Sequence, residues 1–305
     1  MRATVVAVTG AVVLSAFAVP AAQATGSDTR NPIDTLKALH AASSGKSAYV
    51  GETTAVTGTP YALDAKFTDV KVNNGKPIVA GTTGKVSVPV AFKVTHGAGV
   101  DVTADDTELD LFIYRGSFAD PANFLLGDDW PSCTNTTATV ATCKGTIDVR
   151  PSEELYNADA TAWKVGGYVV DFNDQLGADD VDLTKVGYVE SGALGTVKLQ
   201  RLAKMTVNAA PEPVKKGKTL TVTGKLSRAN WDTGVYSGYS TQSVKLQFKK
   251  KGSTVYTTLK TVKTSSTGAL KTTVKAGVDG TYRYLFAGTS TTPAASSSGD
   301  FVDVK

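Results

Sequence analysis

Residues 243–288 read SVKLQFKKKGSTVYTTLKTVKTSSTGALKTTVKAGVDGTYRYLFAG. Val244, Leu246 and Phe248 occupy one phase of a two-residue period, and Lys245, Gln247 and Lys249 occupy the other. That alternation describes a strand with one buried face and one wet face. Lys250-Lys251-Gly252-Ser253 turns the chain into Val255–Val262, and Ser265-Ser266-Thr267-Gly268 turns it again into Leu270–Lys275. Tyr282, Tyr284 and Phe286 then share a face. With Thr219–Leu226 before them and Phe301–Val304 after, these runs make about seven short strands in roughly 100 residues, the count and spacing of an immunoglobulin-like sandwich. Asp279-Gly280-Thr281-Tyr282 places a tyrosine just after a turn, as a tyrosine corner requires.

The alternation continues upstream. Ala65–Val72 and Val86–Val94 both read as strands, with Val86, Val88, Val90, Phe92 and Val94 on one side. Pro89 has no N–H to give a ladder, which predicts an edge position or a bulge there. Further strands are expected at Glu108–Arg115, Gly145–Arg150, Trp163–Phe172 and Gly195–Leu202. Gly116–Cys133 is the longest irregular stretch, with room for one helical turn, and Val165-Gly166-Gly167-Tyr168 is a looser echo of the tyrosine corner.

The expected fold class is all-β: two tandem immunoglobulin-like β-sandwich domains, the first enlarged by a loop insertion at 116–135. The expected divisions are a signal peptide at 1–24, a polar linker with a short helix at 25–47, an acidic sandwich at 48–204 and a basic sandwich at 205–305. The joint is expected near Asn208–Pro213, where two prolines would stiffen it.

The run from Pro211 through GKTLTVTGKLSRANW, VKLQFKKKG, TVKTSSTG, DGTYRYLFAG and SGDFVDVK resembles the immunoglobulin-like modules of secreted actinobacterial proteins. The resemblance covers residues 205–305. It implies an extracellular β-module and no activity, because such modules are attached to proteins of many kinds. The first half shows only general sandwich character.

The amino terminus, MRATVVAVTGAVVLSAFAVPAAQATGS, carries one charge at Arg2, an apolar run and an Ala22-Gln23-Ala24 cleavage pattern. The apolar run from Val5 to Val19 is shorter than the roughly 20 residues a membrane-spanning helix needs. Export with cleavage after Ala24 is therefore expected, leaving no transmembrane segment. No cysteine follows the cleavage site to carry a lipid, and no sorting motif precedes the terminal SSGDFVDVK. The expected product is released, or held at a cell surface by non-covalent contacts. Cys133 and Cys143, the two cysteines of the chain, are expected to form a disulfide in that oxidising compartment. A zinc site would want more cysteine or histidine than His40 and His96 supply.

Charge divides along the chain. Thr25–Leu202 carries 15 Lys and Arg against 23 Asp and Glu, a net −8, whereas Ala203–Lys305 carries 16 against 5, a net +11. Lys245, Lys249, Lys271 and Lys275 hold the outward phase of their strands, with Lys260 and Lys263 on the next one. Outward lysines keep a sheet soluble and blunt its edges, which accounts for each singly. Their sum attracts polyanions with salt-sensitive affinity. The expected partner is an anionic cell-wall polymer or extracellular glycan. Nucleic acid is not expected, because no aromatic–basic signature of a base-stacking surface appears. Self-association through the oppositely charged domains is a further expectation the charges permit.

Catalytic motifs are sparse. There is no G-x-S-x-G elbow and no H-E-x-x-H pair, and the GKS at 45–47 lacks the earlier glycine of a phosphate-binding loop. His40 reads as part of a helix stripe, and His96 as a solvated turn residue. The expectation is a non-enzyme, the alternative being a small hydrolase with its site in the first domain, around the 116–135 insertion and the 171–182 loop. That loop carries Asp171, Asp174, Asp179, Asp180 and Asp182, oxygen ligands of the kind calcium takes. It departs from the EF-hand pattern, with Gly177 one place late and no closing glutamate. The favoured reading is a solvated acidic loop, with calcium the alternative. No cofactor is required by any of these readings.

Overall fold

The computed structural model describes residues 58–175 and 181–305. The expected signal peptide, the helix around His40, and Asp179 and Asp180 lie outside the described residues.

The first module is a sandwich of two sheets. One is built from β2 (Ala65–Val72), β4 (Val86–His96), β8 (Val140–Val149) and β7 (Ser132–Thr137), in that order. The other runs β1 (Tyr61–Ala62), β10 (Gly187–Arg201), β9 (Ala162–Asp171), β5 (Thr107–Gly116) and β6 (Pro121–Leu125), with β3 (Ile78–Ala80) also pairing on β10. The inward phase predicted for β4 holds: Val88, Val90, Phe92 and Val94 are all buried. Phe67 meets Phe92 with ring centroids 5.6 Å apart. Pro89 lies one residue past the last β2 pair, Val72 with Val90, so only β8 flanks it. A bulge in this sheet falls instead in β2, between Thr68 and Lys71.

The insertion is strand, not helix. It forms β6, at the edge of the β5–β9–β10 sheet, and β7, at the edge of the opposite sheet, and its 118–126 part packs on the second face of the β5–β9–β10 sheet. A separate aromatic cluster fills that space: Phe112, Tyr114, Tyr168, Phe172 and Tyr188, with Phe118 and Phe124 packed against them. Glycines make room for it. A Cβ at Gly166 would stand 2.4 Å from the Phe112 ring, and one at Gly192 would stand 2.5 Å from Phe118. Tyr168 belongs to this outer cluster rather than to a tyrosine corner of the main core. Cys133 and Cys143 are directly opposed in the β7–β8 ladder with Cα atoms 4.1 Å apart, and they form the expected disulfide. The bond staples one hairpin and does not tie the two sheets together.

The second module is a smaller sandwich. Its first sheet contains β11 (Ala203–Ala210), β12 (Thr219–Asn230) and β13 (Val235–Gly238), with β16 (Ala269–Lys275) beside β12. Its second contains β15 (Thr257–Lys263), β14 (Ser243–Lys250), β17 (Gly280–Phe286) and β18 (Ala295–Ser296), with β19 (Asp300–Val302) also on β17. Leu220, Val222, Leu226, Val244, Leu246, Leu270, Tyr282, Tyr284 and Phe286 fill the space between. Tyr282 is buried after its turn as expected, and a bridge between the sheets comes from Tyr284, whose hydroxyl donates to the Val222 carbonyl at 2.9 Å.

The joint differs from the sequence expectation. Asn208–Ala210 belongs to β11, and Pro211 and Pro213 follow it, each after a cis peptide bond. Only Leu202 separates β10 from β11. Its N–H donates to Ala80 of the first module at 2.8 Å, and its carbonyl accepts from Ala229 of the second at 2.8 Å. Trp231 leaves the end of β12 and is buried in the first module's core. Asn157 of the first module donates from its backbone to Asp232 at 2.9 Å and accepts the Trp231 N–H at 3.0 Å. Gln200 donates to the carbonyls of Thr289 and Ser290, both at 3.1 Å. A joint with this many bonds across one residue is a rigid seam, not a linker.

Candidate functional site

The six lysines singled out in the sequence do not form one surface. Lys245, Lys249 and Lys263 face outward from the β15–β14–β17 sheet, while Lys271 and Lys275 face outward from the opposite sheet. Lys260 belongs to neither face. The regular β14–β15 register pairs Lys260 with the inward Leu246, in the same phase as Val262, and its ammonium reaches across the sandwich edge to the Thr273 carbonyl of β16 at 2.7 Å. It therefore clasps two sheet edges. Lys275 donates to the Thr219 hydroxyl at 3.0 Å.

A different set of lysines converges. β12 and β16 pair Thr219 with Lys275 at one end of the sandwich and run toward the Trp231 joint at the other. At the end away from the joint, three turns and the chain's last residues line an open cleft of about 440 Å³. Lys216, Lys250, Lys251, Gly277, Val278, Asp279, Val304 and Lys305 form its walls. The backbone holds these turns together: Lys216 N–H donates to the Lys305 carbonyl at 2.7 Å and Lys251 N–H to the Asp279 carbonyl at 2.9 Å. Asp279 accepts the Val304 N–H at 2.9 Å and meets the Lys251 ammonium at 3.3 Å. Those two contacts, the backbone bond first, keep its carboxyl below the usual range. Lys305 lies 4.0 Å from Asp303. Among the described residues no ion pair engages Lys216 or Lys250.

The outward face of the β15–β14–β17 sheet also assembles an aromatic–basic cluster that sequence order hides. Arg283 on β17 lies 3.7 Å over the Tyr256 ring, with the Lys249 ammonium 5.1 Å from that ring. Gln247 fixes the guanidinium by accepting its Nε–H at 2.9 Å. Tyr256 sits in the turn before β15, so no local motif announces the pair.

The acidic residues of the first module have local structural work. Asp182 accepts from the Thr184 N–H at 3.1 Å and hydroxyl at 2.6 Å, opening a helical turn at Leu183–Lys185. Those bonds lower its carboxyl below the usual range. Asp171 accepts from the Asn173 N–H at 3.1 Å and the Tyr61 hydroxyl at 3.5 Å. Burial, with Asp171 beside it, pushes the Tyr61 hydroxyl up. Asp174 N–H donates to Asp106 at 3.2 Å. Among the described residues no three histidine, cysteine or carboxylate groups gather as a metal site. His96 is buried at the end of β4 with Nδ1 3.1 Å from the Gly97 carbonyl, which corrects its reading as a solvated turn residue. Where the hydrolase alternative would want a carboxylate-lined cleft, the 116–126 segment packs aromatic rings. Phe112 and Phe124 stack with centroids 4.5 Å apart. Among the described residues no helix is long and apolar enough to cross a membrane.

No protein-family model matches this chain, and no curated protein matches it. Solved structures similar to it include three N-terminal domains of the bacteriophage RB49 highly immunogenic outer capsid protein. The identity there is 12% over 79% of this chain and 71% of that one, with a TM-score of 0.28. The tandem immunoglobulin repeats of Dlar match at 11% identity over 80% of this chain and 99% of that one, TM-score 0.21. The Yersinia pseudotuberculosis adhesin InvE matches at 15% identity over 74% and 55%, TM-score 0.21. At these scores the fold rests on the strand registers above, and nothing about ligands is taken from these proteins.

Proposed function

We propose that this is a secreted, non-catalytic binding protein whose basic second module attaches it to an anionic extracellular polymer, such as a bacterial wall polymer or an acidic glycan. The observation that carries the reading is the charge division: net +11 lies on the module from Ala203 onward, against net −8 on the chain from Thr25 to Leu202. Solubility does not require so large a field on a module of this size, and such a field draws polyanions over a distance set by salt. The seam at Leu202 and Trp231 supports the reading mechanically. It holds the first module at one end of the second and leaves the far end open.

The mature chain mixed with beads carrying an anionic polymer tests this. Retention at low ionic strength, with release as salt rises, is expected, and beads carrying the uncharged polymer should retain nothing. Equal retention on charged and uncharged beads, or none on either, rules out the reading.

A further inference from the structure

The lysine excess could act as a diffuse field or through one place. Three features distinguish the far-end cleft from the two sheet faces. It is an open cleft walled by lysines from two turns and by Lys305, whereas Lys245 and Lys271 point from opposite sheets. Its lysines stand on turns tied to one another by backbone hydrogen bonds, which fixes their spacing. It also has a carboxylate in its wall, Asp279. A site meant only for dense negative charge gains nothing from Asp279. A carboxylate kept ionised, with lone pairs beyond those used by Val304 and Lys251, is an acceptor for hydroxyl groups.

Resting on the binding function proposed above, we propose that the cleft formed by Lys216, Lys250, Lys251, Asp279 and Lys305 takes a phosphodiester that carries neighbouring hydroxyls, as in a polyol or sugar phosphate polymer. The lysines receive the phosphate oxygens and Asp279 accepts a hydroxyl hydrogen. A hydroxyl-free polyanion meets the same lysines and is repelled by the same carboxylate.

Two variants of equal charge separate the cleft from the field. Lys216→Gln/Lys250→Gln/Lys251→Gln removes three charges at the cleft, and Lys245→Gln/Lys263→Gln/Lys271→Gln removes three from the sheet faces. Binding of the full mature chain to poly(glycerol phosphate) is expected to weaken at least about tenfold in the first, roughly 1.4 kcal/mol, and no more than about twofold in the second. Lys216→Gln/Lys250→Gln leaves the Lys251–Asp279 ion pair in place and should still lose severalfold, which covers the case in which the triple variant unfolds. Asp279→Asn keeps an acceptor for Val304, so it should weaken binding to poly(glycerol phosphate) and strengthen binding to inorganic polyphosphate, which has no hydroxyls.

Equal losses in the cleft and face variants overturn the cleft assignment while leaving the polyanion function standing. Asp279→Asn strengthening binding to both polymers overturns the hydroxyl requirement. No binding by the wild-type chain to either polymer removes the function and the inference together.

Discussion

The indole N–H of Trp231, in the second module, donates to the carbonyl of Gly81, in the first, at 2.7 Å. The ring lies buried in the first module's core, so a side chain of the second module completes the packing of the first. Replacing it with alanine should cost about 3–5 kcal/mol, as removing a buried aromatic does. The cost falls on the seam, so the variant should unfold in two separate transitions where the wild type shows one. Trp231→Phe keeps most of the packing and loses the hydrogen bond, an expected cost of about 1 kcal/mol. Urea unfolding followed by fluorescence and circular dichroism checks both.

Reduction of the Cys133–Cys143 bond should loosen the β7–β8 hairpin before the rest of the chain. Closing so short a loop stabilises by roughly 2–3 kcal/mol on the chain-entropy model. A Cys133→Ser/Cys143→Ser variant should therefore lower the melting point, with the largest rise in amide exchange at 132–144 and the smallest in β12 and β14.

Acid stability should depend on Asp148. Burial pushes its carboxyl up, but the Ser87 hydroxyl, the Asp128 N–H at 3.0 Å and the Lys85 ammonium at 3.4 Å outweigh burial and hold it below the usual range. Asp128 in turn pairs with Arg150 and with Lys85 at 3.0 Å. A carboxyl depressed in the folded state binds protons less readily than in the unfolded chain. Its stabilisation is complete above the unfolded value of about 3.9 and is lost as pH falls through the folded one. Asp148→Asn should lower stability at neutral pH and flatten its decline below about pH 4, as read from urea midpoints across a pH series. An unchanged decline would assign the acid sensitivity elsewhere.

Tyr284→Phe isolates the hydroxyl bridge between the sheets of the second module. The ring is fully buried and its hydroxyl meets the Val222 carbonyl, so the variant should lose about 1 kcal/mol without changing the fold. Tyr282→Phe offers the comparison for a tyrosine placed by the corner motif.

Much of the fold was legible because strands write a period of two into the sequence. The inward phase of Val88, Val90, Phe92 and Val94, and of Tyr282, Tyr284 and Phe286, is the phase the structure buries. The joint lies at Leu202 and not at Pro211 and Pro213, whose character as breakers draws attention away from it. The alternation of Met205, Val207 and Ala209 just before them already marks β11 as strand. Trp231 carried a signal of its own, a large aromatic in a turn between two strands, yet nothing local says which module receives it. Lys260 shares the two-residue phase of Val262 and opposes that of Lys263, so its inward position is written in the period, while its reach to Thr273 on another strand is not. The far-end cleft draws on turns at 216, 250–251 and 277–279 and on residues 304–305, which only the closed sandwich brings together. The same holds for Tyr256 beneath Arg283.

The most direct test of the account is co-sedimentation of the mature chain with purified Gram-positive cell walls across a salt series, beside walls stripped of their anionic polymers. The account predicts pelleting with intact walls at low salt, release at high salt, and no pelleting with stripped walls. Pelleting that ignores both salt and stripping would contradict it, and would move attention from the basic module to the loops of the first.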